Sequence, residues 1–202
     1  MKKNRNIILA SNSPRRSDLL HMIGLKFDII PSNVNEKEKI DLFGKYFAEY
    51  WSREKAIFVS HNHPDRLIVG ADTIVIAKGK ILGKPRNREE SIKMLKMLSG
   101  SVHRVITGVT IFCKQEQIIK TFSETTKVSV LTIPDEKLTF YINNFSTLDK
   151  AGSYGIQDWF SVWIKKIDGC YYNVMGLPLS KFYFYYSKIM EDYFLKNSHD
   201  KI

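Results

Sequence analysis

Asp72 stands inside Val69-Gly70-Ala71-Asp72-Thr73-Ile74-Val75, an otherwise apolar run with strand character. A buried carboxylate without a partner is costly, and aspartate is depleted from strand interiors. It must therefore be paired, bound to a cation or used, although a hydrogen-bonded aspartate at a strand end also fits. Gly70 lets other backbone approach, and Thr73 adds a hydroxyl. A second constellation is Ser11-Asn12-Ser13-Pro14-Arg15-Arg16. Ser13 suits a helix N-cap and Pro14 the first helical position. That arrangement aims backbone amides at one spot where the helix dipole favours an anion. Two guanidinium groups beside it can fork onto phosphate oxygens. On spacing alone, an ordinary helix start with solvated arginines accounts for the same residues.

Weaker signals lie elsewhere. Lys84 is held between Gly83 and Pro85, where a solvated lysine fits as well. Lys150-Ala151-Gly152-Ser153-Tyr154-Gly155-Ile156-Gln157 places two glycines where a flat ligand could approach backbone, and the Gln157 carboxamide offers a donor and an acceptor to a base edge. Glu36 would supply a second carboxylate and Lys55 a cation on a helix; each alone reads as a surface charge. The histidines show no pairing beyond His61 and His63 in a loop, which do not make a zinc site.

The elements that must position these residues follow from periodicity. Ile7–Ala10 reads as a strand, then a tight loop and a helix closed by Gly24. Residues 41–60 read as an amphipathic helix. Residues 67–77 form a strand turning at Lys78-Gly79-Lys80, and 88–98 a helix ended by Ser99-Gly100. Two long strands follow, 102–112 and 118–133, then a helix from Pro134 to about Phe145. Residues 159–167 alternate like a strand and turn at Asp168-Gly169. Asn173–Leu179 reads as a loop entering an aromatic-rich helix that starts at Pro178 and runs to about Lys196. These elements predict a mixed α/β protein with a largely antiparallel or mixed sheet, and no regular βαβ alternation.

Composition bounds the remaining classes. The chain has 202 residues, 44% of them apolar, enough for one compact domain over residues 1–202 and too many for disorder or a disulfide-stapled mini-domain. Cys113 and Cys170 stand far apart, consistent with a reducing compartment. The basic N-terminus is followed by too few apolar residues for a signal peptide, and no apolar run approaches the ~18 residues of a membrane span. A cytoplasmic location without a membrane partner is expected. The net charge of +10 makes anions attractive partners; a lysine-rich composition explains it equally.

Together, I-L-A-S-N-S-P-R-R, R-E-K-A, V-G-A-D-T-I-V, L-G-K-P, L-S-G-x-x-H-x-V-x-T-G-V, K-A-G-S-Y-G-I-Q and Y-N-V-M-G-L-P-L occur in one order along the chain. In that set the chain resembles the Maf family of nucleoside triphosphate pyrophosphatases, from Ile7 to the C-terminal helix. The stretch from Lys150 to Gln157 is similar to the branch acting on dTTP and UTP. The resemblance implies an elongated, two-lobed Maf/ITPase-like fold with a mixed sheet and a central cleft. It implies a housecleaning hydrolase releasing pyrophosphate and a nucleoside monophosphate with a divalent cation, Mg²⁺ or Mn²⁺. By the same resemblance Asp72 is the catalytic acid and proton acceptor, while Arg15, Thr73 and Gln157 set base and substrate preference. Arg16, Glu36, Lys55 and Lys84 match charged positions of the phosphate and metal cleft.

On that basis Arg15, Arg16, Lys55 and Lys84, with the loop from Ser11 to Ser13, are expected to hold the phosphates, and Glu36 with Asp72 the metal. Asn12 and Asp158-Trp159 depart from residues frequent in the family, which bears on fine substrate preference. The alternatives are a 7-methyl-GTP or other modified-purine pyrophosphatase, and a non-catalytic nucleotide-binding regulator of septum formation. A homodimer through the C-terminal helix is the expected assembly, without a stable nucleic-acid partner, since no aromatics interleave the basic clusters.

Overall fold

A computed structural model describes residues 7–36 and 40–199, with side chains through residue 192. The basic N-terminus and Lys37 and Glu38 beside Glu36 lie outside the described residues. Seven strands form one mixed sheet: β1 (Ile7–Leu9), β2 (Phe27–Ile29), β3 (Leu67–Ala77), β4 (Lys80–Leu82), β5 (Val102–Cys113), β6 (Ile118–Val130) and β7 (Ile164–Asp168). The order is β2-β1-β3-β5-β6-β7, with β4 also on β3. Only the β1–β2 and β1–β3 pairs are parallel; the others are antiparallel.

Among the described residues six α-helices pack around the sheet: α1 (Pro14–Met22), α2 (Lys45–Ser60), α3 (Arg88–Leu98), α4 (Asp135–Asn144), α5 (Tyr171–Met175) and α6 (Leu179–His199). Alternation along β3 separates two layers. Val69, Ala71 and Val75 join Leu19, Leu95, Tyr141 and Phe182 in the main core. Ile74 and Ile76 on the opposite face pack with Ala48, and Ile68 with Ala56 and Val59, all from α2. Gly70 and Gly108 make this second contact intimate. A β-carbon at Gly70 would lie 2.1 Å from the Ser52 carbonyl oxygen, and one at Gly108 2.3 Å from that of Ala48. The missing side chains let the α2 backbone rest directly on β3 and β5.

Several local expectations differ from the structure. Trp159–Trp163 is a 3-10 turn before β7, because Asp158 accepts from the Phe160 amide at 3.0 Å and caps it. Residues 171–175, read as loop, form α5, ended by Gly176 at φ 118°. The strand read to residue 133 ends at Val130, and the three-residue β2 carried no readable period. The turn at Lys78 and Gly79 has both residues at positive φ, 48° and 75°, as a tight two-residue hairpin requires. Among the described residues no helix is long and apolar enough to cross a membrane.

Candidate active site

The site is built on an interruption in the sheet. On one edge of β3, β1 pairs with Leu67–Val69 and β4 with Val75–Ala77. Among the described residues no strand occupies that edge from Gly70 to Ile74, a gap of about 16 Å at the usual rise. A cleft of about 580 Å³ opens there. It is reached by Ser11 and Ser13 from the β1–α1 connection, by Arg15 and Arg16 from the first turn of α1, by Glu36 and Lys55, by Asp72 and Thr73, and by Lys84. Residues 149–151 and 154–156 close it from the far side. Nine of the ten predicted site residues therefore converge.

Gln157 is the exception. It is exposed and does not line the cleft. The Asp158 carboxylate turns inward to accept from Tyr141 Oη at 3.0 Å and from Phe160 N, and the residue before it is left exposed. The two glycines of this segment also meet protein. A β-carbon at Gly152 would touch Val75 at 3.0 Å, and one at Gly155 would lie 2.3 Å from Asp158 Oδ2. Their small size lets this segment pack against its own neighbours.

Asp72 and Lys55 form the ion pair at the centre of the cleft. Both are only 7% exposed. Lys55 Nζ lies 2.7 Å from Asp72 Oδ1 and 3.0 Å from Glu36 Oε1. Lys55 belongs to the inward stripe Ala48, Trp51, Ser52, Lys55, Ala56 and Val59, so the helical period delivers its stem to the sheet and its ammonium to the carboxylate. The bare surface of Gly70 and Gly108 sets the depth of that delivery.

Thr73 points to the other face, where Arg16 reaches it. Arg16 Nε donates to the Gly176 carbonyl at 2.9 Å, Nη1 to Ser11 Oγ at 2.8 Å and Nη2 to Thr73 Oγ1 at 3.0 Å. Burial lowers its pKa from the ordinary guanidinium value and Arg15 adds to this, while Asp72 and Glu36 oppose it. Three of its five N–H groups are thus committed to the protein itself. Ser13 occupies the N-cap position without a side-chain cap bond; its amide donates to Ser11 Oγ at 3.2 Å.

One cleft residue escaped the sequence. Asp149 Oδ2 accepts from Arg15 Nη1 at 2.9 Å, and Oδ1 from Lys150 Nζ at 2.9 Å and Ser146 Oγ at 2.8 Å. Burial pushes the Asp149 carboxyl up, but the bonds from Arg15, Lys150 and Ser146 prevail and hold it well below the usual carboxylate range. No local pattern announces a pair 134 residues apart. Lys84 has no ion-pair partner among the described residues.

The family model described as Maf-like protein matches residues 6–189. The chain belongs to the Maf family. A Maf relative from Thermosipho africanus, named dTTP/UTP pyrophosphatase, is 47% identical over 87% of this chain and 88% of its own length. Relatives of the same name from Carboxydothermus hydrogenoformans and Koribacter versatilis are 45% and 42% identical, each over 88% of this chain and over 95% and 91% of theirs. The Staphylococcus aureus Ham1 structure matches 62% of this chain and 72% of its own at 15% identity, with a TM-score of 0.39, too slight to inform the reading. In Maf terms, most of the residues drawn to the β3 gap belong to the motifs that carried the resemblance; Glu36 and Asp149 join them from outside those motifs, and Gln157 stays away.

Proposed function

We propose that this Maf protein hydrolyses dTTP and UTP between the α- and β-phosphates, releasing a nucleoside monophosphate and pyrophosphate. The observation that carries the reading is Asp72, a carboxylate in the middle of a buried strand, brought to the cleft where that strand's edge is open. A triphosphate brings about four negative charges, so positioning and neutralisation dominate its chemistry. Arg15, Lys55 and Lys84 supply cations that can turn to phosphate oxygens, while Arg16 holds Ser11 and Thr73 in place and has two further N–H groups to offer. Asp72 orients the attacking water and takes its proton, and the pyrophosphate departs among the cations.

A hard divalent cation such as Mg²⁺ or Mn²⁺ prefers one or two carboxylates and keeps several waters. Asp72 and Glu36, which meet at a single ammonium, offer that donor set. Among the described residues no three His, Cys, Asp or Glu side chains gather, so a bound ion would take its remaining ligands from water and phosphate oxygens. Such an ion would lower the pKa of the attacking water and offset phosphate charge.

The test is a panel of dTTP, UTP, CTP, GTP and 7-methyl-GTP with both products identified. The reading requires monophosphate plus pyrophosphate and the highest kcat/KM for dTTP or UTP. Diphosphate plus phosphate, or a preference for 7-methyl-GTP, contradicts it.

A further inference from the structure

Thr73 lies at the cleft with two polar side-chain neighbours and one proton. Its Oγ1 accepts from Arg16 Nη2 at 3.0 Å and lies 3.0 Å from Thr107 Oγ1. Thr107 Oγ1 is 3.1 Å from the Asn173 carbonyl oxygen, which can only accept. The single Thr107 proton therefore goes to Asn173, and the proton shared with Thr73 must come from Thr73. Hydrogen bonding runs one way, from the Arg16 guanidinium through Thr73 and Thr107 to the Asn173 carbonyl. Thr107 and Asn173 are wholly buried. Asn173 is anchored in turn, donating from Nδ2 to the Val105 carbonyl at 3.0 Å and to Thr126 Oγ1 at 2.9 Å.

The direction of this chain decides what Thr73 offers a ligand. Its proton points into the protein and one lone pair receives Arg16, so the cleft meets the other lone pair. Gly176 leaves that oxygen uncovered; a β-carbon there would lie 3.6 Å from it. An oxygen presenting only a lone pair repels a phosphate oxygen and favours a neutral N–H or O–H donor. We infer that Thr107 is a positioning residue that fixes the Thr73 hydroxyl as an acceptor, so that Thr73 selects a donor on the nucleoside. This rests on the pyrophosphatase reading above. Two groups common to dTTP and UTP supply that chemistry: the imide N3–H of thymine or uracil, absent from cytosine, and the sugar 3′-hydroxyl.

The experiment compares wild type with Thr107→Val, which keeps the shape and removes the acceptor, and Thr107→Ser, which keeps it. Sites built around a hydrogen bond discriminate strongly against analogues lacking the matching group. The Thr107→Val ratio of kcat/KM for dTTP over dCTP should fall about tenfold or more, while Thr107→Ser keeps the wild-type ratio. If the sugar hydroxyl is the donor, the ratio of dTTP to its 3′-deoxy analogue falls instead. Binding of dTMP against dCMP by calorimetry gives the same comparison without catalysis. Should Thr107→Val not fold, Thr73→Val, which lacks the accepting oxygen, must show the same fall. Unchanged ratios in a folded Thr107→Val protein, or in Thr73→Val, overturn the assignment. Absence of pyrophosphate release by wild type counts against the proposed function instead.

Discussion

Two faces of one strand hold the cleft's cations by different means. On the α2 face, Lys55 is bound by two carboxylates, and at the cleft wall Arg15 and Lys150 share a third. On the opposite face, Arg16 is bound by a carbonyl and two hydroxyls, all neutral. A carboxylate that holds a cation is a stand-in for a phosphate oxygen, and a polyanion can replace it. A guanidinium fixed by three neutral acceptors at separate points has no such competitor. The difference divides labour: Arg15 and Lys55 are free to change partners, whereas Arg16 fixes the relation between the Ser11 loop, β3 and the turn after α5.

Asp72 itself apart, breaking the neutral side should do the most damage. Arg16→Lys keeps the charge but loses the fork, leaving buried acceptors unpaired at about 1–3 kcal/mol each. Activity should drop about 100-fold with a lower melting temperature. Retention of more than half the wild-type kcat/KM would show that three-point fixation is dispensable.

A neutral buried pair behind the cleft wall, His103 with Tyr154, offers a measure of the same principle through pH. His103 Nε2 lies 2.7 Å from Tyr154 Oη, and burial pushes the imidazole down to about 4. In the unfolded chain His titrates near 6.5, so below that pH protons favour unfolding. Stability is lost as pH falls from about 6.5 to about 4, by about 3 kcal/mol in all. Chemical denaturation across that range should show the loss, and His103→Asn should lack it.

On the α2 side, Gly70→Ala places a methyl group 2.1 Å from the Ser52 carbonyl oxygen. Displacing the helix should cost about 1–3 kcal/mol and pull Lys55 away from Asp72, lowering kcat more than it raises KM. Equal stability and kcat would mean that the close approach does not set the pair. The smallest effect is expected at Asp149. Asp149→Asn removes the charge facing Arg15, which keeps only the Asp149 carbonyl at 3.3 Å and turns more readily to phosphate, so KM should fall a few-fold at low salt, with the gain shrinking as salt is added. A raised KM would mean that Asp149 positions Arg15 rather than competing for it.

The parts of this arrangement written in local patterns were readable before the structure. Ser13-Pro14 marks the start of α1, and Asp72 stands out because it breaks an apolar strand. Lys55 carried a further signal, since it falls within the inward stripe from Ala48 to Val59. What stayed hidden depends on contacts between distant segments. Asp149 meets Arg15 only after folding, and α5 rests on Thr107 and Thr126 through Asn173. The small residues of 150–157 looked like room for a ligand, but Val75 and Asp158 fill it. Spacing can tell that a close approach is allowed, not what arrives.

The most direct measurement is pyrophosphate release from dTTP by wild type and Asp72→Asn, with dTTP binding followed in parallel. A buried base that readies water is worth about 10²–10⁴ in rate. The account predicts a loss of that size in a folded protein that still binds dTTP. Turnover above half of wild type would contradict it.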